Sequence, residues 1–191
     1  MDQKEKCKRL RDIFRKEYKF LSLYNADFDA FFTSKTPDQK NFSIVPKGAK
    51  YEDRVAYILL SKLPTHVNID IIERLSDTHK GILKKVLQLV ICKAAELGLP
   101  VKFDAVPGNT NVKQDRSKSK LYKYYNAIGF TRKNNSPGNN NAKSSVSYNT
   151  NVASLKKSID GWPEPEECSS PSCAIMGGRQ RITRRKRLIL P

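Results

Sequence analysis

The chain has 191 residues, enough for one compact domain with tails, and its net charge is +17 because 36 Lys and Arg face 19 Asp and Glu. No run approaches the ~20 apolar residues of a membrane-spanning helix, and the charged N-terminus MDQKEKCKRLRD is unlike a signal peptide. We therefore expect an intracellular protein, cytoplasmic or nuclear, that is attracted to nucleic acid, an acidic membrane surface or a phosphate-rich cofactor.

The N-terminal segment 2–21 is predicted to be a single amphipathic helix. Its apolar residues recur at spacings of three and four, with Lys and Arg on the other side. Such a helix would lie on the domain, and contact with nucleic acid or a membrane is the alternative. In residues 22–50, TSKTPDQKN and VPKGAK indicate turns, with a short strand FSIV between them.

Two antiparallel strands are predicted next. The segment Val55 to Ser61 is rich in apolar and β-favouring residues, and KLPTH interrupts it. From Val67 to Ile71 apolar and polar residues alternate, which is the period of a half-buried strand.

The clearest helix follows these strands. Asp77 or Thr78 can cap its start, and Gly98 with Pro100 ends it. Cys92 lies in its apolar run and is predicted to be a buried thiol. The chain has no Cys-x-x-Cys pair and only two histidines, so no metal site is expected. The apolar stripe comprises Ile82, Leu83, Val86, Leu87, Val90, Ile91, Ala94 and Ala95.

The remaining elements are shorter. VKFDAV (101–106) is predicted to be a strand, Leu121 to Ala127 a helix stopped by Gly129, and FTRK and SSVSYNTNV two further strands. Beyond about residue 160 the chain is Pro- and acid-rich and then basic. We therefore predict one domain over 1–157 and a disordered tail over 158–191.

This order of elements resembles the GCN5-related N-acetyltransferase (GNAT) superfamily, of which the chain would be a divergent member. Two segments carry the resemblance: LSDTHKGILKKVLQLVICKAAELGLPVKFDAV, similar to the central strand–helix–strand unit, and SKLYKYYNAIGF, similar to the late helix with Tyr, three residues and Gly-Phe. The resemblance implies an α/β fold of the α+β type, with a central mixed, mostly antiparallel sheet flanked by helices.

The resemblance also implies a binding loop for the acetyl-CoA pyrophosphate before the long helix. A helix N-terminus offers free backbone N–H groups and partial positive charge, and Gly81 lets the backbone approach a phosphate closely. The sequence departs from the family pattern at Thr78, which replaces Gln or Arg, and at Leu83, which replaces a small residue. The implied cofactor-binding residues are Leu75, Thr78, His79, Lys80, Gly81, Ile82, Leu83 and Tyr122.

For the chemistry, the resemblance implies acetyl transfer to an unidentified primary amine, with Tyr125 as the general acid for the leaving thiolate. A tyrosine with a pKa near 10 can protonate a thiolate and regain its proton from water. Tyr124 has the position that is usually apolar and is expected in the core. Asp70 and Glu73, on the strand before the loop, are the candidate bases.

The alternative is a catalytically inactive GNAT-like protein that binds nucleic acid or acts structurally. The segment MGGRQRITRRKR is similar to basic tails in proteins of large DNA viruses, which would make this protein virion-associated, and it is also compatible with nuclear import. Its cations can neutralise several phosphates with steep salt dependence. The contact residues would be Arg179, Arg181, Arg184, Arg185, Lys186 and Arg187.

Overall fold

A computed structural model describes residues 1–22, 26–105, 125–132 and 146–165 of the chain. The helices are α1 (Gln3–Glu17), α2 (Phe28–Thr33), α3 (Ile82–Glu96) and α4 (Val152–Gly161), with a 3₁₀ turn at Tyr51–Asp53 and a helical turn at 125–128. The strands are β1 (Tyr18–Leu21), β2 (Asp38–Pro46), β3 (Ala56–Leu63), β4 (His66–Arg74), β5 (Val101–Ala105), β6 (Thr131–Arg132) and β7 (Val146–Asn149).

These strands form one seven-stranded mixed sheet in the order β1-β2-β3-β4-β5-β7-β6. Only β4 and β5 pair in parallel, and the other pairs within the described residues are antiparallel. The predicted mixed, mostly antiparallel sheet with flanking helices is thereby confirmed. The β3–β4 hairpin is also as predicted, and FSIV lies in the C-terminal half of the longer strand β2.

The core lies between one face of the sheet and a layer of helices in which α1 and α4 both pack against α3. Alternation along β3 sends Ala56, Ile58 and Leu60 into this core, where each is fully buried. On α3 burial extends beyond the predicted apolar stripe, because every residue from Val86 to Cys92 is buried, the polar Gln88 included. Burial of the two matching faces is what holds helix and sheet together. No helix in the described ranges is long and apolar enough to cross a membrane.

The predicted helix over 2–21 is wrong at its C-terminal end. α1 stops at Glu17, and residues 18–21 pair with β2, with Tyr18 opposite Pro46 and Leu21 opposite Ser43. The side chain of Phe20 stacks on Phe28, with ring centroids 4.1 Å apart. Tertiary pairing therefore overrides a local pattern that continues the helical period.

The prediction of a free buried thiol at Cys92 is also wrong. Cys92 is bonded to Cys7 in a disulfide whose Cα atoms are 5.7 Å apart. Both cysteines are buried, so the bond joins α1 to α3 within the core. The two cysteines lie 85 residues apart in sequence, and their pairing depends on how the two helices pack.

The predicted domain boundary at residue 157 falls inside a helix. No helix is predicted over these residues, yet α4 buries Leu155 and Ile159, and Trp162 follows them into the core. The buried Lys6 of α1 fixes its end, because Lys6 Nζ donates to the carbonyls of Ile159, Asp160 and Trp162 at 2.8 to 3.1 Å. The folded unit therefore continues to at least Trp162.

Candidate acyl-CoA site

A gap opens where the two parallel strands of the sheet separate. β4 and β5 pair from Val67–Val101 to Ile69–Phe103, and beyond this point no pairing between them is recorded in the described part of the chain, although β4 continues to Arg74. A bulge lies at the same place, because Leu60 pairs with Ile69 whereas its neighbour Leu59 pairs with Ile71. The carboxyl ends of adjacent parallel strands are where open α/β sheets bind ligands.

The N-terminus of α3, next along the chain from β4, is open. Its N-cap is Gly81, and no side chain caps it. The predicted caps are wrong, since Asp77 pairs with Arg74 at 2.6 Å and Thr78 with Ser76 at 2.8 Å. Within the described residues no acceptor is recorded for the N–H groups of Leu83 and Lys84. These groups and the helix dipole are available to an anion.

Gly81 leaves room in front of this helix end. Its φ of +83° is in the left-handed region, and a Cβ added there would meet no atom within 4 Å. Ile82 is buried, and Leu83 packs partly against the core. The bulky Leu83, at a position where the resemblance implies a small residue, therefore does not fill the space at Gly81.

Two contacts from the end of α1 support this loop. Tyr18 Oη lies 2.9 Å from His79 Nδ1, and the Lys85 ammonium forms an ion pair with the Glu17 carboxylate at 2.6 Å. The Lys85 ammonium also lies 5.9 Å from the centre of the Tyr18 ring. Sequence reasoning missed Glu17 and Tyr18, because their partners lie 68 and 61 residues later in the chain. Two further lysines at this end of α3, Lys80 and Lys84, are exposed. Leu75, on the segment between β4 and α3, is also exposed, and its backbone N–H donates to the Val55 carbonyl at 2.8 Å.

Tyr125 lies beside the gap between β4 and β5. It begins the helical turn at 125–128, and its half-buried ring is 4.6 Å from the ring of Phe103, centre to centre. Phe103 pairs with Ile69, the last residue of β4 before the bulge. Tyr122 and Tyr124 lie outside the described residues, so their predicted roles stay predictions.

The two candidate carboxylates have different environments. Asp70, at the bulge, accepts from the Ser61 hydroxyl, the Asn68 amide and, at 3.1 Å, the Gln39 amide. Glu73 is exposed and pairs in register with Tyr57 on the sheet face opposite the core. A hydrogen bond to Glu73, together with burial and the Glu73 charge, raises the pKa of Tyr57. No cluster of potential metal ligands occurs in the described ranges.

No protein-family model and no curated protein matches this sequence. Among solved structures, the anti-CRISPR protein AcrVA5 is 23% identical over 48% of this chain and 87% of its own, with a TM-score of 0.35. A Thermoplasma acidophilum PaiA N-acetyltransferase in complex with coenzyme A is 13% identical over 60% and 61%, with a TM-score of 0.40. The Escherichia coli ribosomal-protein-S18-alanine N-acetyltransferase is 11% identical over 76% and 87%, with a TM-score of 0.44.

Two of these three proteins are N-acetyltransferases by name. The TM-scores of these three structures do not exceed 0.44, so the fold is described from the strand order and register of this chain alone. The basic residues from Arg179 to Arg187 lie outside the described residues.

Proposed function

We propose that this protein transfers an acetyl group from acetyl-CoA to a primary amine. The observation that carries the proposal is the open N-terminus of α3. Gly81 in the left-handed conformation, clear space in front of it and the N–H groups of Leu83 and Lys84 together suit a pyrophosphate. Lys80 and Lys84 add positive charge at the same end of the helix.

In this proposal the thioester lies in the gap between β4 and β5. The pyrophosphate on α3 would direct the pantetheine arm toward the bulge at Asp70, where the strands separate. In the superfamily that the sequence resembles, a backbone N–H on this central strand polarises the thioester carbonyl. Fixed donors of this kind stabilise the developing oxyanion.

The exposed Glu73 is the better candidate for the base. The ammonium form of the acceptor must lose a proton before its nitrogen attacks the carbonyl carbon, and Glu73 would take that proton directly or through water. The Asp70 carboxylate already accepts from three side chains, so we assign Asp70 to shaping the bulge.

Tyr125 is the candidate general acid. When the tetrahedral intermediate collapses, the C–S bond breaks and the CoA thiolate takes a proton from the Tyr125 hydroxyl. The packing of Tyr125 on Phe103 supports this role, because it places the tyrosine beside the point where β4 and β5 part.

Calorimetry with acetyl-CoA tests the binding half of the proposal. The wild type should bind, and Gly81→Glu should abolish binding because its carboxylate would occupy the phosphate space. Gly48→Glu is the matched control, since Gly48 has a φ of +84° and equally open surroundings but lies in the turn after β2. Binding that is absent in the wild type, or lost equally in both variants, would refute the site.

Release of free CoA thiol tests the chemistry, with a lysine peptide, a polyamine and a small metabolite amine as acceptors. Tyr125→Phe should lower kcat by about a hundredfold or more, the usual contribution of a general acid. Binding of acetyl-CoA should change little. Tyr51→Phe, outside the site, should keep wild-type turnover. Full activity of Tyr125→Phe would remove Tyr125 from the mechanism.

A nucleic-acid-binding role is the second proposal, supported by the net charge of +17 and by the six cations from Arg179 to Arg187. It is compatible with an intact acyl-CoA site, because the two would use different parts of the chain.

A further inference from the structure

A cavity of about 200 Å³ lies toward the opposite end of α3 from Gly81. Its walls come from α1, β1, the start of α2 and the C-terminal half of α3, from Leu89 to Glu96. The proposed phosphate-binding end of the same helix is at Ile82. Binding of a ligand in this cavity would not depend on acetyl transfer.

One wall of the cavity is aromatic and apolar. Phe14, Phe20 and Phe28 line it, with Phe20 stacked on both neighbours at 4.9 Å and 4.1 Å between ring centres. Leu89 and the Cys7–Cys92 disulfide complete this wall. An apolar cavity of ~150 Å³ holds one benzene molecule, so this one has room for a single ring with a short substituent.

The remaining lining residues include seven charged side chains, with a surplus of one positive charge. The cationic residues are Arg11, Arg15, Lys19 and Lys93, and the acidic residues are Asp27, Asp29 and Glu96. Asp27 caps α2 by accepting the Ala30 N–H at 2.8 Å. A surplus of this size matches a ligand with one negative charge.

The arginines are the groups that can receive that charge. Lys93 Nζ forms an ion pair with Asp29 Oδ1 at 2.7 Å, whereas Arg11 Nη1 is 3.9 Å from the same oxygen. Arg15 pairs with Asp29 Oδ2, yet 59% of its side chain is exposed. A guanidinium has five N–H donors, so a single carboxylate partner leaves Arg15 with donors for a second.

We propose that this cavity binds a small aromatic monocarboxylate, with the ring against the three phenylalanines and the carboxylate on Arg15 and Arg11. The ring would gain from apolar burial and edge or face contacts, and the carboxylate from charge-assisted hydrogen bonds. Tyr18 lines the cavity and also contacts His79 through its hydroxyl, so the two sites share one side chain.

The test uses the full-length oxidised protein and the probe 4-fluorophenylacetate, followed by ¹⁹F NMR line broadening. The probe should bind, and the neutral 4-fluorophenylacetamide should bind about tenfold more weakly, as expected for loss of a charged hydrogen bond. Arg15→Gln should weaken probe binding by a similar factor. Arg9→Gln, also exposed on α1 but outside the cavity, should have no effect.

Three results would overturn the proposal. They are equal binding of the acid and the amide, equal effects of Arg15→Gln and Arg9→Gln, and no broadening at millimolar probe. Displacement of the probe by acetyl-CoA would place it in the other site and would also refute it. Leu89→Phe adds volume at the buried wall, and a variant that keeps the wild-type circular dichroism spectrum should lose probe binding.

Discussion

A glycine is required at position 129, in the Gly-Phe pair, both by close packing and by the backbone conformation there. The φ of Gly129 is +106°, and a Cβ built on it would lie 1.8 Å from Ser158 Oγ and 2.5 Å from Ser158 Cβ on α4. The motif that suggested the family resemblance therefore also brings the turn at 125–128 against the C-terminal helix. No side chain larger than hydrogen fits between them unless α4 moves.

We predict that Gly129→Ala lowers the free energy of unfolding by about 3 kcal/mol, from overpacking plus a strained backbone. Gly98→Ala is the control, because Gly98 has a φ of +67° but open space around it, and should lose only about 1 kcal/mol. Urea denaturation measures both. Adding Ser158→Gly should recover part of the Gly129→Ala loss. Equal losses at the two glycines would show that the contact with Ser158 does not matter.

Asp29 gives the protein a predicted acid sensitivity. Burial alone would raise the pKa of Asp29, but the hydrogen bond and charge of Lys93 and the charges of Arg15 and Arg11 outweigh burial and lower it. A lowered folded-state pKa means that the carboxylate stabilises the protein above its unfolded value of 3.8, and that this stabilisation is lost as the pH falls through the folded pKa.

Asp29→Asn should therefore reduce stability by about 1 kcal/mol at neutral pH and have progressively less effect as the pH falls below 4. The measurement is urea denaturation of both proteins from about pH 2, below the usual pKa of a carboxyl group, to about pH 7, where carboxylates are ionised. Asp12→Asn, on the exposed side of α1, should show no such pH-dependent difference. A difference at Asp29 that is constant across this range would contradict the linkage.

At the scale of elements, the sequence predicted most strands and the long helix because their apolar patterns are periodic. The alternation of β4 indicates one buried face, whereas the apolar run of α3 belongs to a helix that is buried on most sides from Val86 to Cys92. The sequence-based predictions failed where contacts with distant parts of the chain determine the local structure. Residues 18–21 form the strand β1 because they pair with β2. Helix α4 belongs to the core because it packs on α3 and because Lys6 donates hydrogen bonds to its C-terminal end.

The candidate site was predictable to the same extent. Gly81, the loop before α3 and Tyr125 could be located from motif spacing, and the structure places the first two at an open helix end and the third beside the strand gap. The contacts of Glu17 and Tyr18 could not be located, because they come from 61 to 68 residues earlier in the chain. A local sequence pattern carries no information about such partners.

The disulfide links the two helices on which both proposed sites depend. Closing a loop of 85 residues is expected to stabilise the fold by about 4 kcal/mol through restriction of the unfolded chain. Reductant should therefore lower the Tm of the wild type. The variant Cys7→Ala/Cys92→Ala should have a low Tm that reductant does not change further, which also excludes effects through Cys168 and Cys173. A wild-type Tm that is insensitive to reductant would contradict this assignment.

At the scale of the whole molecule, the apolar core determines stability, whereas the net charge determines attraction to polyanions. The described core is held by apolar packing between the sheet and α1, α3 and α4. A surplus of +17 charges still attracts polyanions over distances set by the salt concentration. The two properties can therefore be separated by truncation.

We predict that deleting residues 177–191, which contain six of the cations, leaves acetyl-CoA affinity unchanged but weakens binding to double-stranded DNA. Six phosphate contacts would contribute roughly −5 to the slope of log K against log salt concentration, so deletion should flatten the slope by up to that amount. Filter binding at several salt concentrations measures it. Loss of acetyl-CoA binding on deletion would mean that the tail belongs to the acyl-CoA site, whereas an unchanged slope would place DNA contacts on the folded domain.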